Sequence, residues 1–135
     1  FNYSNLQLGV GKDDQSCFQI PKGSVDYGKK IAAYYFWLFP NLMFNFYPWG
    51  LSINIIIPLT SEKTKVKFLS YIWDEKKLDM GAGAELDRVE KEDEEIVEQV
   101  QKGVKSRYYD RGHFSPSMEK GVHHFHLLIS DFLNK

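Results

Sequence analysis

The chain has 135 residues, 43% of them apolar and 16% aromatic, with a formal net charge of -1. That is one domain's worth of sequence with enough apolar material for a core, which excludes a disordered chain. It also lacks the basic excess that a nucleic-acid binder uses against phosphates. The longest unbroken apolar run, Ile31 to Phe39, has nine residues, against the roughly 20 needed to cross a bilayer, so no membrane span is expected.

The sequence opens on Phe1 with neither a basic start nor a signal-like apolar segment, which reads as a chain whose upstream portion is missing. The one cysteine, Cys17, excludes an internal disulfide framework and any Cys-rich zinc or iron–sulfur site within these residues, and it fits a reducing, cytoplasmic setting. Charge is distributed unevenly, because Glu85 to Glu98 holds eight acids and only two bases, Arg88 and Lys91.

Residues 1 to 30 mix short apolar pieces with Gly9, Gly11, Pro21, Gly23 and Gly28 and read as one or two strands following an earlier subdomain. From Ile31 the chain turns to β structure. Ile31–Phe39, Phe44–Tyr47, Leu51–Ile57 and Val66–Trp73 are dense in β-branched and aromatic residues. Phe39-Pro40-Asn41, Pro48-Trp49-Gly50 and Pro58 to Lys63 separate them at hairpin spacing, predicting a four-stranded antiparallel meander. Leu51, Ile53, Ile55 and Ile57 fall on one face and Ser52 and Asn54 on the other, with one sheet face expected to be buried more thoroughly.

Gly81-Ala82-Gly83 reads as a flexible hinge, and Glu85 to about Ser106 has proline-free, helix-forming composition. Ser115 as N-cap and Pro116 at the first helical position predict a second helix running toward Leu133. Strands followed by helices make residues 1–135 a single α+β domain.

On the first helix Val89, Ile96, Val97, Val100 and Val104 fall within an arc of roughly 100°, and Asp93 lies near the middle of it. A carboxylate facing a core costs several kcal/mol unless it is compensated. A buried Arg or Lys, backbone donors or a metal ion would each answer, and spacing leaves the choice open, with a structural ion pair the commoner outcome. Glu92, Glu94, Glu95 and Glu98 read as a solvated face near the positive end of the helix dipole.

On the second helix Val122, Phe125, Ile129 and Phe132 define the apolar stripe, with His126 on its edge and His124 well off it. His123 and His126 stand one turn apart, close enough to share a zinc ion, although border histidines explain them more simply. His113 has no triad partner near it in sequence, Cys17 has no Cys or His neighbour, and Gly81-Ala82-Gly83 lacks the Lys and Ser/Thr of a phosphate-binding loop. The strand aromatics are core residues by default. A helix-covered sheet can still enclose a pocket whose Tyr and Trp faces hold a flat ligand or a quaternary ammonium.

The run Leu86-Asp87-Arg88-Val89-Glu90-Lys91-Glu92-Asp93-Glu94-Glu95-Ile96-Val97-Glu98-Gln99-Val100-Gln101-Lys102-Gly103, then Ser106, Tyr108, Gly112, Ser115, Glu119 and Val122-His123-His124-Phe125-His126, resembles the C-terminal end of Rieske-type non-haem iron oxygenase α subunits. Trp37-Leu38-Phe39-Pro40-Asn41-Leu42-Met43 and Tyr47-Pro48-Trp49-Gly50-Leu51 fit the central strands of the same family, and the likeness keeps order over about residues 31 to 133. The resemblance implies a helix-grip, START-like catalytic domain, an antiparallel sheet wrapped around a long helix, with a C-terminal helix following. It implies a mononuclear Fe(II) held by two histidines and one carboxylate, the carboxylate mapping onto Asp93.

It further implies electrons from a ferredoxin or flavin reductase through a Rieske [2Fe-2S] centre, dioxygen as co-substrate, a trimeric parent, and hydroxylation or N-demethylation of a small organic substrate. Two branches fit, ring hydroxylation in aromatic catabolism and action on trimethylammonium compounds such as choline or carnitine; the Phe-Pro-Asn and Tyr-Pro-Trp-Gly-Leu strands resemble the second more closely. Tyr35, Trp37, Asn45 and Tyr47 are the candidate pocket residues. Departures from the family are equally specific: one cysteine cannot supply a Rieske cluster, and no histidine precedes His113, whereas the family's iron-binding histidines lie upstream of these strands. The chain is therefore expected to be a C-terminal fragment that binds neither iron nor cluster and is inactive alone. The rival expectation is a non-catalytic helix-grip module that holds an apolar ligand, with Asp93 paired to a buried Arg.

Overall fold

The computed structural model describes residues 1–135 and divides them into two compact units, residues 1–84 with 121–135, and residues 85–120. The first unit is built on a five-stranded sheet in the order β1-β2-β3-β4-β5, every neighbour antiparallel. The strands are β1 (Ser4–Val10), β2 (Ile31–Leu38), β3 (Leu42–Tyr47), β4 (Gly50–Pro58) and β5 (Thr64–Ile72). The four-stranded meander is present with its turns where Pro40, Pro48 and Pro58 fall, and β1 adds a fifth strand along the edge of β2. The α+β class follows, since α1 (Leu86–Val104) and α2 (Lys120–Leu133) come after the strands.

Register sorts the side chains into two unlike faces. Tyr35 pairs with Gln7 and Asn45, Asn45 with Ser52, and Ser52 with Ser70. Trp37 pairs with Asn5 and Met43, and Met43 with Asn54. Since alternate residues share a face, Tyr35, Trp37, Asn45, Ser52 and Asn54 form one polar and aromatic face. The opposite face carries Leu6, Leu8, Tyr34, Phe36, Phe44, Phe46, Leu51, Ile53 and Ile55.

The expected alternation in β4 is present, and the residue it buries most fully lies on the serine side. Ser52 is fully buried, whereas Leu51, Ile53, Ile55 and Ile57 are half-buried. The reason lies in what covers each face. The first turn of α2 sits on the polar and aromatic face, where Gly121 lies beside Asn5 and Trp37, and the 81–84 segment closes on Tyr47 and Trp49. Lys65 and Lys67, register partners of Ile57 and Ile55, are exposed on the isoleucine side.

α2 also meets the sheet through a different stripe from the one expected. His124 and Phe125 stand against the Trp37 ring, with centroids 5.3 and 5.4 Å away; Phe125 and Phe132 reach Phe39, and Leu128 is buried. Val122 and Ile129 are exposed, so the helix is rotated and His124, expected off the stripe, faces the sheet. Its imidazole presents an aromatic face to an indole, a packing role that hydropathy does not register. Ser115 does cap, with Oγ accepting from the Met118 N–H while the Ser115 N–H donates to Glu119 Oε2, but a turn intervenes and the helix proper starts at Lys120.

The second unit is α1 and the turn-rich segment after it. No helix is long and apolar enough to cross a membrane.

Candidate functional site on the aromatic face of the sheet

The four candidate pocket residues share one face. Tyr35 and Asn45 are direct cross-strand partners, Trp37 is one step further along β2, and Tyr47 one step further along β3. Two-residue alternation fixes this, so a single register slip would have sent all four to the opposite side.

They are not equivalent. Trp37 is engaged by His124 and Phe125 of α2 and serves as a packing residue at that end. Tyr35 and Tyr47 meet edge to face with centroids 6.0 Å apart, making a corner of two electron-rich rings. The Tyr35 ring leans over β1 at Gly9, where an added Cβ would lie 3.1 Å from it. Asn45 is half-buried between them along the strand. The Ser52 hydroxyl donates to Asn54 Oδ1 at 3.2 Å, and the pair's side chains supply polarity at the middle of the face.

Trp49, which sequence reasoning counted as ordinary core, completes the wall. Its ring stacks on Tyr47, 5.2 Å between centroids and 8° from parallel, and it is 1% exposed. Pro48 and Trp49 form the two-residue β3–β4 turn, and that turn is held by three bonds: the Trp73 and Asp74 N–H groups donate to the Trp49 carbonyl, and Trp73 Nε1 donates to the Pro48 carbonyl. Gly50 follows because an added Cβ would collide with the Tyr71 carbonyl. The Tyr-Pro-Trp-Gly-Leu run was the available signal for this turn; where the indole goes was not readable from it.

Asp93 lies elsewhere, on α1 in the second unit, and is exposed. This corrects the expectation that it faces a core. The stripe exists on the helix, but Val89, Ile96, Val97 and Val100 are 42–67% exposed. Their own unit contains no sheet to cover them, so the cost of an uncompensated carboxylate does not arise. The perturbed acid of α1 is Glu90. Desolvation first, then the charges of Asp87 and Glu94, push its carboxyl up to about 7, and Glu90 Oε1 is buried without a hydrogen-bond partner.

No group of three His, Cys, Asp or Glu side chains comes together in a way that could hold a metal ion. Asp93 offers a hard oxygen donor suited to iron, yet the nitrogen donors of a two-histidine, one-carboxylate centre are not assembled around it, so this chain alone does not fit a complete iron site. A groove of about 650 Å³ opens between residues 1–3 and α2, lined among others by Tyr3, His124, Leu128, Asp131 and Phe132; it is separate from the Tyr35–Tyr47 corner.

An antiparallel sheet with one aromatic, sparsely polar face, followed by a long acidic helix, defines an α+β fold. The chain belongs to the family of the ring hydroxylating alpha subunit (catalytic domain), which it matches over residues 19–135. Among curated proteins it is 40% identical over 103 residues to the chloroplastic choline monooxygenase of Arabidopsis thaliana, covering 72% of this chain and 24% of that protein. It is 35% identical over 107 residues to the choline monooxygenase of Atriplex hortensis, covering 75% and 24%. The carnitine monooxygenase oxygenase subunit of Escherichia coli K12 is 31% identical over 137 residues, covering 93% and 35%. The chain thus spans about a quarter to a third of the length of these relatives. No solved structure matches it.

Proposed function

We propose that the chain is the C-terminal part of the catalytic domain of a Rieske-type oxygenase α subunit, and that its sheet supplies the wall against which a small trimethylammonium substrate is held. The observation that carries this reading is the register that puts Tyr35, Asn45 and Tyr47 on one face with Trp49 stacked behind. A quaternary ammonium has no hydrogen to donate and is attracted to ring faces by about 0.5–2 kcal/mol per ring, more as the site is desolvated. The relatives include enzymes named for choline and for carnitine, both trimethylammonium compounds. Asn45 supplies a neutral polar group beside the rings, orienting the ligand without competing for its charge.

Within this proposal Asp93 is the anionic iron ligand, completed by two histidines that these residues do not include. The parent takes electrons from a ferredoxin or flavin reductase through its Rieske cluster, acts with dioxygen, and assembles as a trimer around a helix-grip catalytic domain. The support is the Glu92-Asp93…Glu98 pattern and the open apolar stripe around Asp93, which calls for a covering element. The exposure of Asp93 favours one competing reading, a binding module without chemistry.

Iron content of the full-length oxygenase separates the two. Asp93→Ala is expected to lower bound iron at least ten-fold and to abolish substrate-dependent oxygen uptake, and unchanged iron and uptake would remove Asp93 from the site. Tyr47→Leu is expected to raise KM for a trimethylammonium substrate about ten-fold while leaving iron content unaltered, consistent with losing about 1–2 kcal/mol of ring attraction.

A further inference from the structure

After β5 the chain returns to the aromatic face as residues 78–84, which close on the Tyr47–Trp49 stack. The return is pinned at its start, where the Trp73 and Asp74 N–H groups donate to the Trp49 carbonyl and Asp74 Oδ1 accepts from the Lys76 N–H. Beyond that point the bonds run along the segment, from the Met80 N–H to the Lys77 carbonyl and from the Ala84 N–H to the Gly81 carbonyl. What meets the rest of the unit is glycine. A Cβ on Gly81 would collide with Ser16, and one on Gly83 would lie 2.7 Å from Trp49 Nε1 and 3.0 Å from Cγ and Cδ1 of Tyr47. Gly81, Gly83 and Glu85 have φ of 66°, 87° and 53°, so the backbone turns left-handed three times within five residues.

This close seat carries a penalty. Trp49 is 1% exposed and its Nε1–H, beside Gly83, donates to nothing, whereas Trp73 Nε1 donates to the Pro48 carbonyl at 3.0 Å. Buried donors are nearly always paired, and an unpaired one disfavours the state that buries it. Lifting residues 78–84 returns the indole N–H to water and leaves the strand ladders intact, which makes it a local opening rather than an unfolding. With Gly83 packed directly on both rings, a cation has no approach to them from this side.

We propose that residues 78–84 form a strap that opens and closes over the Tyr47–Trp49 stack and gates the entry of a small quaternary ammonium ligand to it. This rests on the ammonium reading of the wall and adds the route by which the wall is reached. The closed strap excludes water and ligand alike; the open one is the state that binds. The affinity of the unsubstituted chain is then the intrinsic affinity reduced by the fraction of open strap.

The experiment uses the 135-residue chain labelled with ¹⁵N, the Trp49 indole resonance being assigned by elimination with Trp37→Phe and Trp73→Phe. On transfer to heavy water, with each proton measured against its own free exchange rate, the Trp49 Nε1–H is expected to be about ten-fold or more less protected than the β3 and β4 backbone amides, which report global unfolding. Gly81→Ala puts a methyl against Ser16 while leaving Tyr47 and Trp49 unaltered. It is expected to remove most of the remaining Trp49 protection while the strand amides stay protected, and Ser16→Gly added to it is expected to restore part of the loss. In calorimetry Gly81→Ala is expected to bind tetramethylammonium about five-fold more tightly than the unsubstituted chain.

Trp49 protection equal to that of the strand amides, or a tetramethylammonium affinity unchanged in a folded Gly81→Ala chain, overturns the strap and leaves the aromatic wall standing. Local exchange at Trp49 with no tetramethylammonium bound by either chain overturns the ammonium reading, and with it the gate. If Gly81→Ala does not fold, the exchange of the unsubstituted chain decides alone.

Discussion

Gly83 and Trp49 are distant in sequence and adjacent in space, so each limits what the other tolerates. Gly83 sits at φ 87° with no room for a Cβ beside the Trp49 and Tyr47 rings. Gly83→Ala combines left-handed backbone strain, of order 1–3 kcal/mol, with a collision against two buried rings. The chain is expected to lose about 2 kcal/mol or more of stability in urea unfolding, with a blue or red shift of tryptophan emission reporting the displaced indole. Nothing in Gly81-Ala82-Gly83 as a string shows this. A glycine pair reads as a hinge, and only the fold brings Gly83 against a ring, making it a close-packed position. Asp93 was legible as an acid in an apolar stripe, but whether the stripe is covered is a tertiary matter, and within its own unit no sheet covers it.

At the scale of elements, α2 is held by a few large contacts, with Leu128 its only buried residue. Leu128→Ala is expected to cost about 2–4 kcal/mol, measurable as a lower urea midpoint, whereas Val122→Ala, at an exposed position, is expected to change it by less than about 0.5 kcal/mol. That contrast separates the observed stripe from the one hydropathy predicts, since the predicted stripe makes Val122 the more costly site.

α1 carries a pH dependence of its own. Glu90 titrates near 7 in the folded chain against an ordinary value of 4.5, so the folded state holds the proton more tightly than the unfolded one. Stability from this group is greatest below about 4.5, declines as pH rises through the window to about 7, and is level above it. Glu90→Gln imitates the protonated form. It is expected to leave the melting temperature unchanged at pH 4.5 and to raise it above that of the unsubstituted chain at pH 8, as followed by circular dichroism.

For the whole molecule the two faces of the sheet set different expectations. The face of Leu6, Phe36, Phe44, Ile53 and their neighbours is only half-buried; Phe1 touches Phe36 and Phe18 touches Tyr34, and Leu38 and Tyr71 at its margins are 41% and 56% exposed. A contiguous apolar surface of this kind binds hydrophobic dyes. Anilinonaphthalene sulfonate fluorescence is expected to rise on mixing with the folded chain and to fall by about half with Leu38→Lys and Tyr71→Lys together, two surface changes of small cost to stability.

The sequence by itself determined the strands of the meander, the two helices, the α+β class and the family, because these follow from local periodicity, turn residues and an ordered motif, all encoded in near neighbours along the chain. It also determined that Tyr35, Trp37, Asn45 and Tyr47 were the residues to watch, though not that they share a face. That depended on the β2–β3 register, in which one residue of slip reverses every side chain. Only the tertiary structure decided which sheet face is covered, that His124 packs on Trp37, and that Gly83 packs against the Trp49 and Tyr47 rings. Those outcomes depend on where distant segments come to rest, and hydropathy read along a chain carries no information about which segment lies over which face.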